Sequence, residues 1–151
     1  MADSVQFKRN FMQLTGEMDC NNTQAAQKIG IDYRIYKGIT EHGKIPKPAI
    51  LIRIADYFDI SVEYLLGRTG NRNFERADTP ATFYERFTQL KDEKGFTDYK
   101  IAQKLHISTS YTSAWKKNSY IPSLDNLIIL SEVFKVSLDY LLGRTDEKNL
   151  D

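Results

Sequence analysis

An internal repeat constrains the fold of this chain more than any other feature of its sequence. The stretch SVEYLLGRT at residues 61–69 returns as SLDYLLGRT at residues 137–145, an offset of 76 residues. Extended backwards without gaps, residues 7–69 align with residues 83–145, and about a third of the aligned positions are identical. Most of these identities are apolar or turn residues. The repeat therefore predicts two copies of one small structural unit.

Composition favours two compact helical units. The 151 residues are 41% hydrophobic and 27% charged, and Cys20 is the only cysteine, so no internal disulfide can form. Each copy of roughly 63 residues must then be stabilised by its own core. No apolar run approaches the ~20 residues of a membrane-spanning helix, and the N-terminus MADSVQFKRN lacks the apolar stretch of a secretory signal. We expect a cytoplasmic protein.

Capping residues in the second copy predict five short helices. The first is predicted to start at Thr79 and Pro80, an N-cap and a residue suited to the first helical position, and to end at Lys94 and Gly95. The third is predicted to end near Asn118. The predicted N-caps of helices two to five are Thr97, Ser108, Ser123 and Ser137.

Residues 70–82, GNRNFERADTPAT, carry no apolar periodicity and contain Gly, Pro, Asn and both signs of charge. Such a composition predicts a linker. The predicted domains are therefore residues 1–69 and residues 83–145, with a linker at 70–82 and a tail at 146–151.

The motif of residues 97–143 resembles a known family. Its elements are Thr97 opening the second helix, Ile101-Ala102, Ile107-Ser108, Trp115, Pro122 and the SLDYLLG stretch. Together they resemble the lambda-repressor-like, Cro/CI-type (XRE) helix-turn-helix domain. The resemblance implies an all-α fold of two tandem five-helix domains joined by a short linker.

Three positions depart from the family pattern. The family usually has glycine in the turn between helices two and three. Gly30 satisfies this in the first copy, whereas His106 stands there in the second. Tyr36 and Thr112 stand where the buried face of helix three usually carries Ile or Val. We expect His106 to adopt a positive φ, which histidine tolerates at some cost.

The resemblance also implies a set of DNA-contacting residues, because helix three of such domains lies in the major groove and the start of helix two meets phosphate. In the second copy no acidic residue occurs between residues 99 and 124, so the local charge is positive although the net charge of the chain is only +1. Asp98 is expected to repel phosphate unless Lys100 neutralises it or its side chain points elsewhere. The implied residues are Asn22, Tyr33, Arg34 and Lys37 in the first copy and Thr109, Ser110, Ser113, Ala114, Lys116 and Lys117 in the second.

These features predict a sequence-specific regulator of transcription, a repressor of the phage or mobile-element type, whose partner is double-stranded DNA. The chain would act as a homodimer or as an intramolecular pseudo-dimer. No nucleophile with a base, no glycine-rich phosphate loop and no cluster at metal-ligand spacing is evident, so we expect no enzyme activity, no cofactor, no metal and no membrane association.

The alternative is a protein-interaction or dimerisation module in which one or both copies have lost DNA binding. In that case Tyr33, Ile35 and Tyr36 would form an apolar docking surface. Trp115 and Tyr111 are predicted to lie in the core and half in the core, rather than to stack on bases. Salt dependence separates the two functions, because phosphate-driven binding weakens steeply as salt rises.

Overall fold

The computed structural model describes residues 2–116 and 120–150, and within these ranges the chain is all-helical, as predicted. The chain divides after Phe74 into two compact units, called here unit 1 and unit 2. None of the helices in the described ranges is both long and apolar enough to span a bilayer. Unit 1 contains α1 (Ser4–Gly16), α2 (Asn22–Ile29), α3 (Tyr33–His42), α4 (Pro48–Phe58) and α5 (Val62–Leu65). Unit 2 contains α6 (Phe83–Lys94), α7 (Asp98–Leu105), α8 (Thr109–Ala114), α9 (Leu124–Phe134) and α10 (Leu138–Leu141).

Aromatic side chains from the first and third helices occupy the core of each unit. In unit 1 the ring of Phe11 meets Tyr36 edge-on, with centroids 5.3 Å apart. In unit 2 Trp115 meets Phe83 and Phe87 edge-on at 5.7 and 5.2 Å. Such edge-on pairs add to the free energy gained from burial. The prediction that Trp115 is a core residue is confirmed.

The predicted N-caps at Thr97, Ser108, Ser123 and Ser137 all accept a backbone hydrogen bond at the start of a helix. The prediction that α6 begins at Thr79 and Pro80 is wrong. Thr82 caps this helix, because its hydroxyl accepts from the Glu85 N–H while the Glu85 carboxylate accepts from the Thr82 N–H. This reciprocal capping box outweighs the preference of proline for the first helical position.

Residues 75–81, called here the strap, are bonded to unit 2. The Ala77 N–H donates to the Arg144 carbonyl at 2.9 Å, and the Ala81 N–H donates to the Gly143 carbonyl at 3.2 Å. The Thr145 hydroxyl donates to the Glu75 carbonyl at 2.8 Å. Most of the segment predicted as a linker is therefore attached to unit 2.

Two ion pairs recur in both units at the offset of 76 residues. Glu63 pairs with Arg68 in unit 1 as Asp139 pairs with Arg144 in unit 2. Glu17 likewise pairs with Arg72 at 2.6 Å, and Glu93 with Lys148 at 3.2 Å. The Arg72 hydrogen bond lowers the pKa of Glu17, and hydrogen bonds from Gln89 and then Lys148 lower the pKa of Glu93.

A left-handed residue closes the turn before the third helix of each unit. Gly30 has φ +84° and His106 has φ +56°, as predicted. In both units the isoleucine that follows donates its N–H to an alanine carbonyl of the preceding helix, from Ile31 to Ala26 and from Ile107 to Ala102, each at 3.0 Å. This bond is the long hydrogen bond of a Schellman motif, and it turns the chain sharply into the next helix.

We predict that the strain at His106 can be relieved or increased by substitution. His106→Gly should raise the free energy of unfolding of unit 2 by up to about 1 kcal/mol, because glycine adopts a left-handed conformation without a steric cost. His106→Val should lower it by about 1–2 kcal/mol, because a β-branched residue is strained there. Urea unfolding followed by the fluorescence of Trp115, the only tryptophan of the chain, reports on unit 2. A valine variant as stable as the wild type would contradict the left-handed turn.

The buried pair between Asp139 and Arg144 should be essential for the stability of unit 2. Both side chains are buried, so Asp139→Asn would leave an uncompensated guanidinium in the interior and should cost about 3–5 kcal/mol. Glu93→Gln is the matched control, because it removes an exposed pair and should change the unfolding midpoint little. Equal effects of the two substitutions, measured by the same urea unfolding, would contradict this role.

Candidate nucleic-acid interface

Helix α8 presents a buried face and an exposed face. Thr112 is 2% exposed and Trp115 is 1% exposed, so both side chains point into unit 2. Thr112 therefore occupies the buried face of helix three, as predicted. The predicted contact residues at Thr109, Ser110, Ser113 and Lys116 are exposed, and Ala114 is half-buried. Lys117 and Asn118 lie outside the described residues.

Hydroxyl groups dominate the exposed face of α8. The Ser113 hydroxyl donates to the Thr109 carbonyl at 3.2 Å, which leaves the Ser113 oxygen available as an acceptor. The hydroxyls of Ser108 and Ser110 share a hydrogen bond of 2.5 Å. Ser108 is also the N-cap, since its side chain accepts from the Ser110 N–H. The first turn of α8 is thus held by its own hydroxyls, and it presents both donors and acceptors to the outside.

The acidic residue at the start of α7 is neutralised, although by a different lysine from the one predicted. Asp98 accepts a hydrogen bond from Lys91 of α6, whereas the ammonium of Lys100 lies 4.7 Å from the centroid of the Phe96 ring. Lys91 and Asp98 are on different helices, so no helical periodicity reveals the pair. The repulsion of phosphate expected from Asp98 is reduced by this contact.

Tyr111 contradicts the prediction that it lies half in the core, because 58% of the residue is exposed. Successive side chains of an α-helix point about 100° apart. With Thr112 and Trp115 directed into the core, Tyr111 falls on the flank of α8. Tyr99, near the start of α7, is also exposed, so the helix-turn-helix of unit 2 carries two exposed phenol rings.

Helix α3 of unit 1 exposes the predicted residues Tyr33, Arg34 and Lys37. Tyr36 is only 2% exposed, and its ring stacks on that of Tyr33 with centroids 6.1 Å apart. Tyr36 therefore belongs to the core and cannot form part of the apolar docking surface of the alternative hypothesis. The reason is the helical spacing, since Tyr36 and Ile39 share the buried face.

Two of the predicted residues of unit 1 already have partners. Lys37 lies 3.7 Å from Glu41, one turn further along α3. Asn22, in the first turn of α2, accepts a hydrogen bond from the Tyr36 hydroxyl through its amide oxygen at 3.1 Å. This bond directs the amide of Asn22 so that its nitrogen remains as the donor.

Sequence reasoning missed a cation that supports the turn of unit 1. Arg53 of α4 donates from Nη1 to the Gly30 carbonyl at 2.7 Å, which ties α4 to the end of α2. At the equivalent position unit 2 has Ile129. The replacement of an isoleucine by an arginine at this aligned position was visible in the sequence. It does not reveal that Arg53 binds the Gly30 carbonyl.

Residues 84–147 match a family described as "Helix-turn-helix domain". This range holds α7, the left-handed turn and α8. No solved structure shows a significant match to the chain.

Several curated proteins are similar to part of the chain. The uncharacterized HTH-type transcriptional regulator YobD of Bacillus subtilis is 35% identical over 65 residues, which cover 43% of this chain and 58% of that protein. The HTH-type transcriptional regulator ImmR of Bacillus subtilis is 32% identical over 62 residues, or 41% and 49% of the two chains. The HTH-type transcriptional activator BcrR of Enterococcus faecalis is 32% identical over 61 residues, or 40% and 30%.

The aligned segments span between about a third and somewhat more than half of these relatives. Because residues 84–147 match the family, they contain a helix-turn-helix domain. The relatives of this domain carry names of transcriptional regulators.

Proposed function

We propose that the chain is a sequence-specific, non-enzymatic DNA-binding regulator of transcription, a repressor of the phage or mobile-element type, that inserts α8 into the major groove. The observation that carries this proposal is the division of α8 into two faces. Thr112 and Trp115 anchor the helix in the core, while Thr109, Ser110 and Ser113 remain exposed after the turn. That arrangement lies inside the range that matches the helix-turn-helix family, and a helix held in this way can present short polar side chains to base edges.

The chemistry of the exposed face of α8 suggests what it would contact. The oxygen of Ser113 remains an acceptor because its proton is directed to the Thr109 carbonyl, so it suits an amino group of adenine or cytosine. The methyl group of Ala114 suits the methyl group of thymine. Lys116 and Lys117 would meet phosphates.

Unit 1 would read a different sequence. Arg34 is exposed on α3, and a guanidinium suits the two acceptors of guanine. Tyr33 lies beside it, and the amide nitrogen of Asn22 would donate to a phosphate at the start of α2. Lys37 contributes less, because Glu41 is close to its ammonium.

The two outward faces differ, so the target should be asymmetric. In this proposal residues 1–69 and 83–145 are two tandem helix-turn-helix domains in one cytoplasmic chain, joined by residues 70–82. The pair would act as an intramolecular pseudo-dimer, because a covalently linked second domain binds at a high effective concentration. The exposed Arg34 on one unit and the hydroxyls on the other support this reading over a palindromic target.

We predict that Lys116→Ala flattens the salt dependence of DNA binding. Loss of one phosphate contact should reduce the slope of log K against log salt by about 0.9. Lys94→Ala is the control, since it removes the same charge from the last turn of α6. Fluorescence anisotropy with a labelled duplex at several salt concentrations measures both variants. Binding that is indifferent to salt in the wild-type protein would instead favour the protein-interaction alternative.

We predict that Arg34→Ala relaxes the sequence preference in one part of the target only. A bidentate contact to guanine is worth about 1–3 kcal/mol of discrimination, so a guanine should lose most of its enrichment in a selection from random duplexes. Arg34→Lys should also weaken it, because an ammonium lacks the guanidinium fork. Ser113→Ala should alter a separate part of the selected sequence. If both substitutions relax the same base pairs, the two units do not read different sequences.

A further inference from the structure

The strap of unit 2 covers a surface at the end of α10. Its backbone N–H groups at Ala77 and Ala81 donate to the carbonyls of Arg144 and Gly143. Beneath it Gly143, Arg144 and Thr145 are buried, although they follow the last helix of the fold. The strap approaches so closely that a Cβ atom on Gly143 would stand 1.9 Å from the Ala81 carbonyl oxygen. The strap bends at Asp78 and Thr79, which lets Ala77 and Ala81 reach adjacent carbonyls, and it is held mainly through its backbone.

The equivalent surface of unit 1 is an open cleft. Gly67 is exposed, and Arg68 and Thr69 are half-buried, whereas their counterparts in unit 2 are buried. The cleft has a volume of about 290 Å³. Its lining residues are Gln6, Asn10, Tyr64, Gly67, Arg68, Thr69 and Gly70. Four of these, the tyrosine, the first glycine, the arginine and the threonine, are identical to the residues at the same positions of unit 2.

Two differences between the units explain why this cleft is open in unit 1 and covered in unit 2. Helix α1 begins at Ser4, which aligns with Pro80, so residues that are helical in unit 1 replace the end of the strap. Asn10 stands where unit 2 has Arg86, whose guanidinium donates to the Thr145 carbonyl and lies 4.1 Å from the centroid of the Tyr140 ring. The shorter Asn10 donates to the Tyr64 carbonyl at 2.8 Å and accepts a hydrogen bond from the Gln6 amide at 3.0 Å, so the cleft above it is only partly filled.

The acceptors that hold the strap in unit 2 have counterparts in this cleft. The carbonyls of Gly67 and Arg68 align with those of Gly143 and Arg144, and within the described residues they accept no hydrogen bond. The side chain of Gln6 lies against this surface, with its Cγ 2.2 Å from the place a Cβ on Gly67 would take. A flexible side chain occupies the position that the strap backbone fills in unit 2.

We propose that this cleft binds a bent peptide segment of a partner protein, in the way the strap binds unit 2. The segment would carry small residues at two positions four apart, like Ala77 and Ala81, and would donate two backbone N–H groups to the carbonyls of Gly67 and Arg68. This binding surface is separate from α3 and α8, so the proposal goes beyond DNA binding and does not depend on it.

A partner segment fits the cleft better than two other occupants. The strap of a second copy is bonded to its own unit 2, so transferring it would break as many hydrogen bonds as it forms. A nucleic acid would need a cation in the cleft, but the Arg68 guanidinium pairs with Glu63 at 3.0 Å. The backbone N–H donors of a peptide match the two carbonyl acceptors.

The test is a titration of the full-length, ¹⁵N-labelled protein with a capped peptide of residues 75–82, ERADTPAT. We expect saturable shifts of the amide signals of Gly67, Gly70 and Asn10. A matched peptide N-methylated at the two alanines lacks the two donors and should bind roughly tenfold more weakly or worse. Equal binding of both peptides, no shifts in the cleft, or shifts confined to Gly143 and Thr145 would overturn the proposal.

Two variants of unit 1 strengthen the test. Gly70→Val narrows the cleft at a position where an added side chain meets no other atom, and it should weaken peptide binding about fivefold or more. Gln6→Ala removes the side chain that occupies the cleft and should strengthen binding. An unchanged affinity in both variants would place the peptide elsewhere. A dimer of the wild-type protein that the peptide dissociates would overturn the proposal in favour of a second copy as the occupant.

Discussion

The backbone hydrogen bond that closes the left-handed turn determines the position of the candidate contact residues on α3 and α8. In unit 2 it runs from Ile107 to Ala102, and His106 must accept a strained backbone to allow it. Because the turn is short, α8 leaves α7 in one direction only, with Thr112 and Trp115 toward the core. The exposed hydroxyls on the other side of α8 follow from that packing.

Comparison of the two copies of the repeat distinguishes residues that stabilise the fold from residues that differ between the two units. The ion pairs, the two phenylalanines of the first helix and the terminal helix recur at the same offset, because each unit must stabilise its own small core without a disulfide. The outward faces of α3 and α8 have diverged. Unit 1 offers Arg34 with its planar donors, whereas unit 2 offers Ser110 and Ser113 with short hydroxyls.

The segment that leads into the first helix, α1 in unit 1 and α6 in unit 2, differs in structure between the units. In unit 2 the strap runs over Gly143 until the capping box at Thr82 begins the helix. In unit 1 the helix begins a turn earlier, with Asp3 as the N-cap, and Gln6 fills only part of the same space. The different starting positions of α1 and α6 therefore leave a polar cleft in unit 1 and a covered surface in unit 2.

The sequence by itself determined the helical class, the repeat, most helix N-caps and the turn residues, because each depends on neighbours within about four positions along the chain. The start of α6 was also a local matter, since Thr82 and Glu85 form a capping box three residues apart. Which lysine neutralises Asp98 and whether Tyr111 is covered depended on residues that meet only after the helices pack. Local capping and periodicity carry no information about such contacts. Tertiary structure therefore decided the shape and charge of the exposed surfaces, although the elements that carry those surfaces were predictable.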